Sequence, residues 1–328
     1  MNTIRKGLVR WLRGTVCLVF LLAASPGSAL GADSFLTPLG PIADAEREYL
    51  LDIIGITMIA IVPVLIGVPL ILWRYRRGNR RAAYRPHWSF SKPLDIAMWG
   101  VPVLIIGFLS VWLWQHTVKY DPYKPLGDEP LHIQVVGLNW KWLFIYPEQG
   151  VASVGEMAIP TERPVTLSLT TDTVMQSFMV PALAGQIYAM AGMQTQLNFI
   201  ADRPGTTRGQ NTQFSGPGFS EQFFTVRALS EADWHSWVDS AQAAPLSLNR
   251  RSYATLAERG SRAEAQAALA PGQESEPLLF SSVPPDFFQH VIDRYHDGEG
   301  LTARQQPGSP SYRAGGKSQL PLPEGRGL

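Results

Sequence analysis

The chain has 328 residues, a formal net charge of +1 and one cysteine, Cys17. Such a balance gives no global field to recruit nucleic acid or acidic partners, and a lone cysteine excludes a disulfide framework or a thiolate-bridged metal cluster anywhere beyond position 17. Charged residues make up only 17 % of the chain, low for a protein wholly in water and expected where part of it faces lipid.

Residues 1–32 read as a secretory signal. Arg5, Lys6, Arg10 and Arg13 form a basic start, Thr15 to Ala24 an apolar core, and Pro26 and Gly27 a break, with cleavage expected after Ala29 or Ala32. The alternative is an uncleaved third membrane helix, for which an apolar run of about ten residues is short. Cys17 lies inside this run and not in a lipoprotein pattern, so a lipid anchor is not expected.

Asp33 to Asp52 is short and mostly acidic. Ile53–Trp73 then gives 21 residues without a formal charge, and Ile96–Trp114 gives 19. At roughly 1.5 Å per residue either run can cross a hydrocarbon core about 30 Å thick. The pattern predicts a transmembrane hairpin over residues 45–116, with helices at about 50–74 and 94–115. Between them six arginines fall within Arg74–Arg85 with no acid before Asp95, which predicts a cytoplasmic turn. Pro63 and Pro69 would free carbonyls at membrane depth, which favours packing against a larger membrane partner over a plain anchor. Asp95, at the cytoplasmic end of the second helix, has two readings: a carboxylate favoured by the helix N-terminus or a proton-collecting group.

Asp121–Pro125 reads as a linker. From residue 128 to 229 the period is two, as in Leu131–Val135, Val165–Leu169, Gln194–Phe199 and Phe223–Val226, with Gly- and Pro-rich turns between. This predicts a β-sandwich or barrel. Trp140 and Trp142 alternate on one predicted strand, which places them on a shared face as structural aromatics. The six histidines show no i,i+2 or i,i+4 pairing and are not expected to bind metal, and Met175, Met179, Met190 and Met193 are expected to pack in the core or an interface. Residues 230–297 read as a helical appendage: a capping box at Ser230/Asp233, an alanine-rich helix over Ala254–Ala270, and a short amphipathic helix over Pro284–Tyr295. Residues 298–328 are poor in apolar residues and expected to be disordered.

Four stretches carry a family resemblance: Gly137-Leu-Asn-Trp-Lys-Trp142 and its continuation to Gly150, Met175-Gln-Ser-Phe-Met-Val-Pro181, Gly185–Gln194, and Gly209-Gln-Asn-Thr-Gln-Phe-Ser-Gly-Pro-Gly-Phe-Ser-Glu-Gln222. With the hairpin, they resemble subunit II of the haem–copper respiratory oxidases, in the form of the quinol-oxidising, cytochrome bo-type branch. The resemblance implies a two-helix transmembrane hairpin followed by an all-β cupredoxin-like sandwich with a small C-terminal helical appendage. In the cytochrome c-oxidising branch the sandwich holds a dinuclear copper centre. Its ligand positions fall here on Gln176, Asn211, Ser215, Phe219 and Gln222, none of them His, Cys or Met.

The resemblance therefore implies subunit 2 of a proton-pumping terminal oxidase that passes electrons from ubiquinol to dioxygen. No cofactor or metal would be bound by this chain, and none of its residues would be catalytic. Haems and copper would lie in a partner subunit I, quinol would be the substrate of the complex, and no cytochrome c would dock. Other small membrane subunits and lipid would be further partners. The complex would lie in a bacterial inner membrane, with the N-terminus and the C-terminal domain on the periplasmic face. An acid at the position of Asp95 lies near a proton-uptake route in this family, although that acid is normally Glu. The alternative is a membrane-anchored, non-enzymatic cupredoxin-like assembly or binding module.

Overall fold

The computed structural model describes residues 34–83, 87–272 and 277–296. The expected signal segment and tail lie outside the described residues. Two long helices come first, α1 (Pro41–Arg74) and α2 (Lys92–Lys119). Their 34 and 28 residues correspond to about 51 and 42 Å at the α-helical rise, more than a hydrocarbon core needs. Their apolar side chains lie outward: Leu104 is 74 % exposed and Ile96 72 %.

α1 begins earlier than the uncharged run suggests. Pro41 occupies its first turn, where a missing N–H costs nothing. Ala43 is fully buried, and Leu39 and Ile42 pack on the sandwich core. The overhanging turns of α1 are thus held by tertiary contact, which the acidic composition of residues 33–52 does not reveal.

The described residues after α2 contain eleven strands in two sheets. One sheet has the order β11 (Leu278–Phe280), β3 (Val151–Val154), β2 (Lys141–Tyr146), β1 (Leu131–Leu138), β5 (Pro164–Thr171), β8 (Thr195–Ile200). The other runs β4 (Glu156–Pro160), β10 (Phe223–Leu229), β9 (Gly205–Asn211), β6 (Gln176–Val180), β7 (Ala184–Ala189). β1 pairs parallel with β5 and β4 with β10; the other neighbours are antiparallel. Between the sheets lies a core containing Trp142, Phe144, Phe178 and Phe224. Tyr146 bridges the layers: its hydroxyl donates to the Ala158 carbonyl at 3.0 Å and accepts from the Ala158 N–H at 2.9 Å.

Among the described residues four α-helices follow β10: α3 (Glu231–Gln242), α4 (Arg250–Ala257), α5 (Arg262–Leu269) and α6 (Phe287–Asp293). The alanine-rich stretch expected as one helix is two, because Ser261 caps α5 in a capping box with Glu264 and the chain turns at Glu258–Gly260. α6 starts at Phe287 because Pro284 and Pro285 precede it and Asp286 has φ +58°. The appendage is not purely helical either, since β11 extends the first sheet against β3.

A second core lies on the outer face of that sheet. Leu143 and Ile145 of β2 pack there with Tyr253, Leu256, Phe287 and Val291 of the helices. All six residues of β2 are therefore buried. The unbroken run Trp142-Leu-Phe-Ile-Tyr146 is the sequence signature of a strand covered on both faces.

The hairpin is stapled to the sandwich on both sides. The Leu39 N–H donates to Ala182 O at 2.7 Å, and the Asp202 N–H to Leu39 O at 2.9 Å. Past α2, Pro122 O accepts from the Asn198 backbone at 3.0 Å and side-chain amide at 2.8 Å.

Candidate functional site

Four of the five positions matched to copper ligands meet at one end of the sandwich. Gln176 opens β6, Asn211 closes β9, Ser215 follows in the loop, and Gln222 precedes β10. Their relative exposures are 0, 5, 6 and 1 %. Phe219 does not join them; it is half-buried in a 3₁₀ turn and packs against Phe214 at 5.8 Å.

The four side chains satisfy one another. Asn211 Nδ2 donates to Ser215 Oγ at 3.1 Å and Gln222 Oε1 at 2.9 Å. Gln222 Nε2 donates to Gln176 Oε1 at 2.6 Å and Leu138 O at 3.3 Å. Gln176 Nε2 donates to Leu138 O at 2.9 Å and Thr173 Oγ1 at 3.2 Å. Each amide nitrogen thus places both of its protons. Asn211 Oδ1 accepts from the Ser177 and Gln213 N–H groups at 2.9 and 3.0 Å. A fully satisfied buried network is rigid and costly to interrupt.

Glycines make room for it. A Cβ on Gly137 would lie 2.5 Å from Gln176 Oε1, and one on Gly218 would lie 2.2 Å from the Trp140 ring. The expected shared face of Trp140 and Trp142 is not found. Trp142 is in β2 and buried in the core, but Trp140 sits in the β1–β2 turn at φ +65°. The two-residue turn breaks the alternation that a continuous strand would impose. Trp140 instead braces the ligand loop, its Nε1 donating to Ser215 O at 3.3 Å. Met175 and Met193 are 42 and 52 % exposed, so neither is a core residue.

Two buried charged groups escaped the sequence reading. Lys141, 3 % exposed, directs its ammonium at the carbonyls of Asn139, Glu258 and Gly260 at 3.2, 2.9 and 2.8 Å. Burial lowers its pKa to about 8, against the pull of Glu264 and Glu258. Asp172, just past β5, forms an ion pair with Arg294 and accepts hydrogen bonds from Tyr253 Oη at 2.5 Å and Tyr295 Oη at 3.2 Å. Burial, and then the Asp172 charge, raise the pKa of both phenols. The signal for Lys141 was its position between Trp140 and Trp142 in a run that is otherwise apolar. Both clusters tie the appendage to the end of the sandwich that carries the amide network.

Asp95 lies elsewhere. It is half-buried in the first turn of α2, its N–H donating to Ser91 O at 2.9 Å, and among the described residues it has no ion-pair partner. About 36 Å of helix separates it from Lys119, by the α-helical rise.

The donor set does not suit a dinuclear copper centre. Such a centre needs bridging thiolates. Here the positions hold neutral amides and a hydroxyl whose hydrogen-bonding capacity is spent on each other. Replacing Gln222 by leucine is expected to cost about 3 kcal/mol, because it strands amide groups of Gln176 and Asn211 in the interior. Phe219→Leu, at a half-exposed site, should cost less than about 1 kcal/mol. Thermal unfolding of the two variants checks this contrast.

The family match and the sequence relatives agree with this architecture. A family model described as cytochrome c oxidase subunit II, periplasmic domain, matches residues 150–228. Cytochrome bo(3) ubiquinol oxidase subunit 2 of Pseudomonas putida is 37 % identical over 294 residues, covering 89 % of this chain and 88 % of the relative. Ubiquinol oxidase subunit 2 of Acetobacter aceti is 39 % identical over 267 residues, covering 80 % and 83 %. Among solved structures, the periplasmic domain of subunit II of cytochrome oxidase from Bradyrhizobium japonicum aligns at 24 % identity and TM-score 0.34, covering 37 % of this chain and 97 % of that one. With two helices long and apolar enough to cross a membrane, a cupredoxin-like sandwich behind them and relatives matched over most of their length, the chain belongs to the family of cytochrome bo-type ubiquinol oxidase subunit 2.

Proposed function

We propose that this chain is the non-catalytic subunit 2 of a proton-pumping terminal oxidase that takes electrons from ubiquinol to dioxygen. In this reading it carries no redox centre, and subunit I holds the haems, the copper of the dioxygen site and the quinol site. The observation that carries it is the closed amide network of Gln176, Asn211, Ser215 and Gln222. A sandwich whose ligand positions are hydrogen-bonded to one another is a structural body, and quinol as reductant requires no docked cytochrome c. The names of the relatives support quinol as the substrate of the complex. The outward apolar faces of α1 and α2 support a membrane partner with which they pack. Arginines at positions 74, 76, 77, 80 and 81 support a cytoplasmic turn, and with it a periplasmic sandwich in a bacterial inner membrane. Asp95 would then stand at the cytoplasmic surface as the candidate for proton uptake.

Purifying the tagged chain in mild detergent tests this. A haem-bearing partner should co-purify with quinol-dependent oxygen uptake, membrane vesicles should eject protons during turnover, and deletion of the chain should abolish both. If deletion leaves quinol-dependent oxygen uptake intact, the chain is an assembly or binding module instead. A copper–thiolate absorption band in the purified chain would overturn the claim about the sandwich. Asp95→Asn should slow turnover several-fold. Unchanged turnover and proton uptake would leave Asp95 as a residue of the helix end.

A further inference from the structure

We propose that the turn between α1 and α2 is a binding site for the phosphate headgroups of anionic phospholipids. Five arginines, Arg74, Arg76, Arg77, Arg80 and Arg81, are all exposed there, with Lys92 beyond them. No acid occurs between Asp52 and Asp95. Among the described residues none of the five arginines has an ion-pair partner. Their charge is therefore uncompensated by the described residues.

The turn is also shaped. Asn79 Nδ2 donates to Arg74 O at 2.6 Å, capping the end of α1, and Asn79 Oδ1 accepts from the Arg81 N–H at 3.2 Å. The Asn79 N–H closes the bend on Arg76 O at 2.9 Å. One side chain thus holds the bend, with arginines on both sides of it in the sequence.

The depth of the turn is set by aromatics. Trp73, Tyr75, Trp88 and Phe90 are 54, 64, 61 and 61 % exposed and bracket the arginines. Exposed indoles and phenols favour the headgroup level of a bilayer. The Arg76 guanidinium lies 5.4 Å from the centre of the Trp73 ring. Arginines at that depth meet lipid phosphates, whose oxygens match the guanidinium fork. A purely solvated topology signal would need the charge but neither the aromatic bracket nor the folded turn. The proposal rests on the membrane placement of α1 and α2 and is independent of the oxidase reading.

The test uses the full chain with whatever co-purifies, reconstituted in nanodiscs of phosphatidylcholine and phosphatidylglycerol in equal parts. Lipid retained after mild re-extraction is quantified by mass spectrometry. Transfer from detergent removes the dependence on insertion direction in the cell. The wild type should retain phosphatidylglycerol preferentially at low salt, and the preference should collapse between about 0.05 and about 0.5 M salt. In R76Q/R77Q/R80Q/R81Q it should fall by about fivefold per arginine removed, with helix content unchanged. The corresponding four-lysine variant should keep part of it, since an ammonium retains the charge but not the bidentate fork. A wild type without preference at low salt overturns the proposal, whatever the variants do. Undiminished enrichment in the glutamine variant overturns it too. Displacement by millimolar soluble glycerophosphate would assign the arginines to a free phosphate ligand instead. An acidic polypeptide held by the wild type, with no lipid enrichment, would assign them to a protein partner.

Discussion

Replacing Asp172 by alanine is expected to remove about 3–5 kcal/mol of stability. Asp172 is 7 % exposed and Arg294, its ion-pair partner, 9 %. Without it a guanidinium and the phenols of Tyr253 and Tyr295 remain in the interior with their common acceptor gone. For a domain of this size the melting temperature should drop by about 6–20 °C, read by circular dichroism on the full chain in detergent. The appendage should detach first, because Tyr253 belongs to α4 and Arg294 follows α6. Hydrogen exchange should accordingly rise in Arg250–Asp293 before it rises in β5 or β6. A double change, Asp172→Leu with Arg294→Met, should recover most of the loss, since removing both charges leaves neither buried alone. If the double variant melts as low as the single one, the ion pair is not what holds the appendage.

Raising the pH should first strengthen this domain and then unfold it. Burial lowers the Lys141 pKa from 10.5 to about 8. Below about pH 8 both states carry the proton, and the folded state bears the cost of a buried ammonium. Between about 8 and 10.5 the unfolded chain holds a proton that the folded chain has released, so stability rises by up to about 1.4 kcal/mol per pH unit. The phenols act oppositely. Burial raises the pKa of Tyr146, Tyr253 and Tyr295 above the ordinary value of 10.0. Their contribution is complete below pH 10 and is lost as pH climbs above it toward the folded-state values. With three tyrosines the loss approaches about 4 kcal/mol per pH unit. Denaturant midpoints measured from pH 7 to pH 12 should therefore peak near pH 10 and collapse beyond it. Lys141→Met should flatten the rise, and Tyr253→Phe should make the collapse less steep. A midpoint that falls steadily from pH 8 contradicts the Lys141 assignment.

Much of the fold is written in short-range patterns. Lipid demands uniform apolarity, so two uncharged runs are enough to mark α1 and α2. A strand half-buried on one face demands alternation, as in β9, where Thr206, Arg208 and Gln210 are exposed and Thr207, Gly209 and Asn211 buried. The same rule misplaced Trp140, because alternation holds only while the chain remains a strand, and a turn with φ +65° intervenes. It also missed the second core, although the five apolar residues of β2 carried the signal for it.

The site divides in the same way. Gln176, Asn211, Ser215 and Gln222 could be found by matching motifs, and the lack of any cysteine after Cys17 rules out thiolate ligands by count alone. The sequence by itself therefore determined two apolar runs long enough to cross a membrane, the strand pattern and the absence of thiolate donors beyond Cys17. Only the tertiary structure decided what occupies the ligand positions, how Lys141 and Asp172 are satisfied, and what holds the appendage in place. The Gln222–Gln176 bond spans 46 residues, Tyr253–Asp172 81 and Lys141–Glu258 117. Periodicity and composition report the environment of a segment. The pairing of a buried polar group is settled only when remote segments converge and each donor must find an acceptor out of reach of water.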